Sequence, residues 1–217
     1  MEGEKVVKDV CLTEAAELRH YGQNAVFVYD PNDTSNRPVR GVHDNVIKFW
    51  RLYPDYIRDA FTQSFTEGIT DPNKRIIENE WQKLFIRLRS EIIMCGCGRT
   101  NFTSMFEMPD EKTYQCPKCG MKFATMHFSG HDFRMPLYLG SRFFECDIDP
   151  DSDDFLSTAG ELVENKLKPG LLGIKNCSSK TWRVKMPDRI YYDIAPGSGF
   201  PIWPELEIDF GEIRAKI

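Results

Sequence analysis

Cys95-Gly-Cys97-Gly98, then Cys116-Pro-Lys-Cys119-Gly120: two cysteine pairs, each followed by glycine and separated by eighteen residues, decide how this chain is read. Two pairs at this separation supply four thiolates at about 2.3 Å to a tetrahedral Zn²⁺, with the residues between them forming a β-hairpin. The spacing therefore predicts a zinc ribbon over residues 95–126 with Cys95, Cys97, Cys116 and Cys119 as ligands. Gly96, Gly98 and Gly120 suit knuckles that turn tightly enough to aim backbone N–H groups at sulfur, because such turns favour positive φ. The second pair has the common two-residue spacing, whereas Cys95-Gly-Cys97 is one residue short, so His127, His131 or Cys146 stands as an alternative to one of the first two ligands. Reduced thiols in a hairpin without metal are the remaining reading. Disulfides suit the chain least, since seven cysteines in 217 residues without a secretion signal fit a reducing compartment.

The rest of the composition sets outer bounds. With 41% hydrophobic and 12% aromatic residues there is material for a packed core, in one large domain or two small ones. No run approaches the eighteen apolar residues that span a bilayer, and Met1-Glu2-Gly3-Glu4-Lys5 lacks the apolar stretch of a secretion signal, so the expected location is the cytoplasm. A net charge of −5 argues against broad electrostatic capture of nucleic acid, leaving only a local patch at Arg99, Lys112, Lys118 and Lys122 for that role.

Texture along the chain predicts an α+β protein in three parts: a helical segment over 1–94, the ribbon over 95–126, and a β part over 127–217. Asp44 or Asn45 caps a short helix through Val46, Phe49 and Trp50. Pro54 suits the first turn of the next helix, which carries Tyr56, Ile57, Phe61 and Phe65 and ends at Gly68. After Thr70-Asp71-Pro72, the residues Trp81, Leu84, Phe85, Leu88 and Ile92 fall at helical spacing on one face, a core stripe.

Tyr21-Gly22, Phe27-Val-Tyr-Asp-Pro31, Ser35-Asn-Arg-Pro38, His43-Asp-Asn45, Phe49-Trp50, Tyr53-Pro54, Phe61 to Phe65 and Asp71-Pro-Asn-Lys-Arg75 with Trp81 resemble the end of the C-lobe in a group of bacterial eukaryotic-like Ser/Thr protein kinases. These kinases occur with von Willebrand-type and phosphatase partners in tellurite-resistance-associated systems, and a Cys-rich ribbon and a small β domain follow the kinase. The resemblance implies that Arg75 matches the C-lobe arginine that pairs with the glutamate of the Ala-Pro-Glu motif, which has no counterpart here.

Kinase chemistry needs a Gly-rich loop, a strand lysine, a His-Arg-Asp loop and an Asp-Phe-Gly magnesium site. Asp209-Phe210-Gly211 spells the last of these, yet six residues follow it and no His-Arg-Asp precedes it, so it reads as a terminal strand and turn. Gly197-Ser-Gly199, set between Pro196 and Pro201, is turn chemistry rather than a nucleotide loop. By the resemblance, Met1 falls just after the central C-lobe helix, and the chain is expected to be a separated C-terminal piece.

Short segments with regular turns predict an antiparallel β-sandwich after the ribbon: Leu137 to Leu139, Arg142 to Cys146, Leu171 to Lys175, Thr181 to Lys185, Ile190 to Ile194, Ile202 to Trp203 and Glu207 to Phe210. Leu171 to Trp182 and Ile194 to Gly211 resemble the second half of a forkhead-associated domain. Phosphothreonine reading in that family uses a Gly-Arg turn and a Ser-x-x-His segment; Gly140-Ser141-Arg142 is offset, and the second segment is missing. Asn176 matches the family's asparagine, but closing a loop through its side chain is the better account of it. Asp147-x-Asp149-x-Asp151-x-Asp153-Asp154 alternates carboxylates, yet Ser152 and Thr158 stand where an EF-hand needs glycine and glutamate, so a solvated acidic loop is expected. His127 and His131 read as ordinary hydrogen-bonded histidines, and no Ser, Cys and His spacing assembles a nucleophile with its base.

The sequence thus leads to a non-catalytic, zinc-stabilised protein-interaction module with a structural Zn²⁺ and a protein partner: a kinase, a phosphatase, a von Willebrand-type protein, or a second copy in a homodimer. Its alternatives are the C-terminal half of a split Ser/Thr kinase and a zinc-ribbon nucleic-acid-binding protein.

Overall fold

The computed structural model of the chain describes residues 13–165 and 168–217, so the readings made at Met1 to Lys5 lie outside the described residues. The described residues divide into two compact units, one up to Leu84 and one from Phe85. Among the described residues no helix is long and apolar enough to cross a membrane.

The first unit is helical. Helix α1 runs Asp44–Trp50, α2 Asp55–Phe65 and α3 Glu78–Ser90, the last crossing the unit boundary. Asp44 is the first helical residue rather than the cap, and its Oδ1 accepts from the Gly41 N–H at 2.9 Å. Pro54 takes the cap position of α2, with φ −56° and ψ 153°, because its fixed φ suits the entry while its missing N–H costs nothing there. The helix ends at Phe65, ahead of Gly68: Thr62 and Thr66 hydroxyls donate to the carbonyls four residues back, at 2.8 and 2.6 Å, and compete with the backbone ladder. Stacked rings do much of the packing. Tyr29 lies 4.5 Å from Trp50 with planes 5° apart, and Phe61 bridges edge-on to Trp81 at 4.9 Å.

The stripe predicted to continue to Ile92 stops two residues earlier. Ile92 opens strand β1, Ile92–Met94, which pairs antiparallel with β2, Thr100–Phe102, and the Thr103 N–H fixes this hairpin to the Glu91 carbonyl at 2.8 Å. Tertiary pairing overrides the helical spacing there.

Two sheets make up most of the second unit. In the larger, β3 (Glu107–Asp110), β4 (Thr113–Gln115), β5 (Lys122–Phe128) and β6 (Met135–Pro136) join β10 (Trp182–Lys185), β11 (Tyr191–Ile194), β13 (Glu207–Asp209) and β14 (Arg214–Lys216) in the order β11-β10-β13-β14-β5-β4-β3, with β6 also on β5. The smaller sheet has the order β12-β9-β8-β7, from β7 (Arg142–Phe144), β8 (Thr158–Glu164), β9 (Leu172–Asn176) and β12 (Gly199–Pro201). Phe128, Trp182, Val184, Ile208 and Ala215 from one sheet meet Phe143, Leu162, Ile174 and Phe200 from the other in a single core, the arrangement of an antiparallel sandwich. The fold is α+β.

The predicted strands hold with shifted ends, and three differ in kind. Glu145–Ile148 is a helical turn (α4) because the buried Asp147 carboxylate accepts from the Phe144 N–H at 2.8 Å. Pairing moves from Leu137–Leu139 to Met135–Pro136 and from Ile202–Trp203 to Gly199–Pro201. The boundary drawn at 126 falls inside β5, which runs unbroken from the second cysteine pair into the sandwich.

Candidate metal centre

Each cysteine pair sits in the turn of a hairpin, the first between β1 and β2, the second between β4 and β5. The hairpin expected between the pairs is present as β3–β4, and each pair also turns a hairpin of its own. The two turns share one backbone pattern. The Cys95 N–H donates to Arg99 O at 2.8 Å and the Gly98 N–H to Cys95 O at 2.9 Å; the Cys116 N–H donates to Met121 O and the Gly120 N–H to Cys116 O, both at 2.8 Å. Gly98 and Gly120 close these turns at φ 81° and 74°, a conformation that side-chain-bearing residues adopt at a cost. The one-residue difference between the pairs is absorbed within the turn.

All four sulfurs lie within 4.8 Å of one another. Cys95 and Cys119 Sγ atoms are 3.5 Å apart, and those of Cys97 and Cys116 are 3.8 Å apart. A tetrahedron with metal–sulfur bonds of 2.3 Å has edges of about 3.8 Å, whereas a disulfide would bring sulfurs to about 2.05 Å. The residues present fit a tetrahedral tetrathiolate ion.

A small core holds the site. Ile93, Phe106, Tyr114 and Phe123 surround the buried Cys95 and Cys116, with Phe106 and Phe123 edge-to-face at 6.1 Å. Lys118 Nζ donates to the Cys97 carbonyl at 3.2 Å, bringing a cation from one knuckle onto the other. Without metal, Cys95 and Cys116 do not ionise alike. Burial raises Cys116, but the Cys119 and Lys118 N–H groups and neighbouring thiols pull it down to about 7. At Cys95 the Cys97 N–H lowers the pKa, yet burial and the surrounding thiols outweigh it and push it up to about 12. Thiolate is favoured at Cys116 and opposed at Cys95, and a divalent cation would favour it at both.

The alternative ligands lie elsewhere. His127 Nε2 is 2.9 Å from the His131 carbonyl, and His131 faces Asp147 at 3.9 Å. Cys146 sits 3.9 Å from Arg89, its thiol raised to about 11 by burial and by Asp147 against the pull of Arg89. Among the described residues, the group of metal-binding side chains that comes together is the four cysteines.

The remaining motifs are structural in their contacts. Asn176 is fully buried: its Nδ2 donates to Lys180 O at 2.8 Å and Ile194 O at 3.0 Å, while its Oδ1 accepts from the Ser178 N–H and hydroxyl. It closes the loop after β9. Arg142 is paired with Glu161 at 2.8 Å. In the acidic loop, Asp149 binds Lys180 and accepts from the Asp151 N–H, while Asp154 accepts from Leu156 and Ser157. Asp209 and Gly211 form a turn in which the Gly211 N–H bonds to the Asp209 carboxylate at 2.9 Å.

Comparisons with protein-family models, with curated proteins and with solved structures found no match to this chain.

Proposed function

We propose that the chain is a zinc-stabilised, non-catalytic protein-interaction module. The observation that carries this reading is the cluster of four sulfurs at tetrahedral spacing. When bound, zinc supplies a cross-link and no chemistry, because four thiolates leave no coordination position for water or substrate. Cys95 and Cys97 hold one hairpin, Cys116 and Cys119 the other, and β5 carries the second hairpin into the sandwich. Metal loading would thus be coupled to the order of the larger sheet. Binding free energies of about 10–16 kcal/mol at structural sites are large against the stability of a domain.

The same reading attaches the module to a Ser/Thr kinase-like protein, on the resemblance carried by Asp71-Pro-Asn-Lys-Arg75 and its neighbours, with a kinase, phosphatase or von Willebrand-type protein as its partner. Arg75, the residue most specific to that resemblance, donates from Nε to the Gly68 carbonyl at 2.6 Å. Metal analysis of the purified chain tests the reading. One zinc per chain and a melting transition lowered by a strong chelator support it; substoichiometric zinc or unchanged melting refutes it. Saturable binding of MgATP would refute the non-catalytic part.

A further inference from the structure

A groove of about 680 Å³ opens on the larger sheet, away from the cysteine site. Its floor is a row set by strand register: Lys185 stands opposite Glu207, Glu207 opposite Lys216, and Lys216 opposite His127. Their sequence neighbours Val184, Ile208, Ala215 and Phe128 are buried in the sandwich core, so alternation puts this row on the outer face. Glu207 is shared by Lys185 at 3.8 Å, Lys216 at 3.7 Å and the Tyr191 hydroxyl at 3.0 Å. Arg189 adds a cation to the lining, as do Lys112, which donates to Ile217 O at 3.1 Å, and Arg134, which donates to Thr125 Oγ1 at 2.7 Å, against the carboxylates of Glu205 and Glu207. This is a concentration of positive charge in a chain whose formal net charge is −5. One wall is apolar, formed by the half-buried Met186 and Trp203.

A second, independent feature falls in the same place. Among the described residues two non-glycines have positive φ, Arg189 at 67° and Glu205 at 65°, and both line the groove. Arg189 lies in the β10–β11 connection, closed by the Met186 N–H on Ile190 O at 2.9 Å, where its own N–H donates to Met186 O at 2.8 Å and the left-handed position is ordinarily glycine. Glu205 follows Pro204 in a turn closed by the Leu206 N–H on Trp203 O at 3.3 Å, again a glycine position. Left-handed backbone at side-chain-bearing residues carries a cost, and strain of this kind clusters at binding sites.

We propose that this groove binds an acidic peptide segment of a protein partner, its carboxylates on Lys185, Lys216 and Arg189 and one apolar side chain against Trp203. A volume of this order holds a few residues of peptide. The negative chain as a whole repels a long polyanion, and the apolar wall asks for a side chain rather than a sugar–phosphate backbone. The inference deepens the interaction-module reading by naming the chemistry of its partner.

The test uses the zinc-loaded full chain and a fluorescent octapeptide of glutamates around one leucine. Saturable binding that weakens with salt is expected, because exposed charge pairs are screened. Lys216→Glu and Arg189→Glu should each weaken it about tenfold. Lys175→Glu, on β9 of the other sheet, makes the same charge change and should leave it intact. The sharpest variant is Arg189→Gly: affinity falls while the melting temperature stays or rises, since the strained position is relieved. No binding at millimolar peptide, or unchanged affinity in Arg189→Gly, overturns the proposal. So does tighter binding of an oligothymidylate of equal charge. Zinc measured on the same sample separates the two claims: a zinc-free chain that binds peptide keeps the groove and loses the metal reading, and a zinc-loaded chain that ignores peptide does the reverse.

Discussion

The sulfurs of Cys95 and Cys119 lie 3.5 Å apart although 24 positions of chain separate them. The separation is far longer than a disulfide bond and close to the edge of a tetrathiolate tetrahedron. Cys95 is buried and Cys119 is exposed, so the contact joins the inside of one hairpin to the surface of the other.

That asymmetry makes Cys119→Ser a decisive substitution. An exposed cysteine replaced by serine ordinarily changes stability by no more than about 0.5 kcal/mol. As a ligand, Cys119 should cost as much as the buried Cys116 does: loss of stoichiometric zinc and a destabilisation of several kcal/mol in thermal melting, erased when both proteins are compared in chelator.

Gly160 on β8 faces the fully buried Phe143 ring, and a methyl group there would overlap it. Gly160→Ala should destabilise the sandwich by about 1–3 kcal/mol, measured by denaturant unfolding, with zinc content unchanged.

Asn176 spends every polar atom of its side chain inside the fold. Asn176→Ala removes the acceptor of the Ser178 N–H and the side-chain donor to the Lys180 and Ile194 carbonyls, and should cost roughly 3–5 kcal/mol. Asn176→Asp should be no better, since a carboxylate cannot donate to the Lys180 and Ile194 carbonyls.

Asp147 gives the pH dependence. Burial raises its pKa above 3.8, opposed by the Phe144 N–H and by His131 and Arg89. A raised folded-state pKa favours the protonated form, so the contribution is full below pH 3.8 and is lost as pH rises through the folded-state value. Asp147→Asn keeps an acceptor for the Phe144 N–H and cannot ionise. Its melting temperature should therefore gain on the unsubstituted chain as pH is raised from 3.8 toward neutrality. Asp147→Ala should lose about 1 kcal/mol with the cap.

The cysteine spacing was legible because metal ligation writes itself into local sequence, and the aromatic positions of α1, α2 and α3 because helical period does the same. Strand β8 was not, since Ala159 and Gly160 dilute the β pattern in order to admit Phe143. Ile92 was assigned to a helix because spacing alone cannot see that the Glu91 carbonyl is claimed by Thr103. The cationic groove was least legible of all. Lys185 and Lys216 lie far apart in sequence and are gathered by the register of β10, β13 and β14, and Lys112 joins them from the β3–β4 turn.

X-ray absorption at the zinc edge of the purified chain tests the central claim most directly. Four sulfur neighbours at about 2.3 Å, with no nitrogen or oxygen in the shell, are the result predicted. A shell containing imidazole or water, or no zinc edge at all, would contradict it.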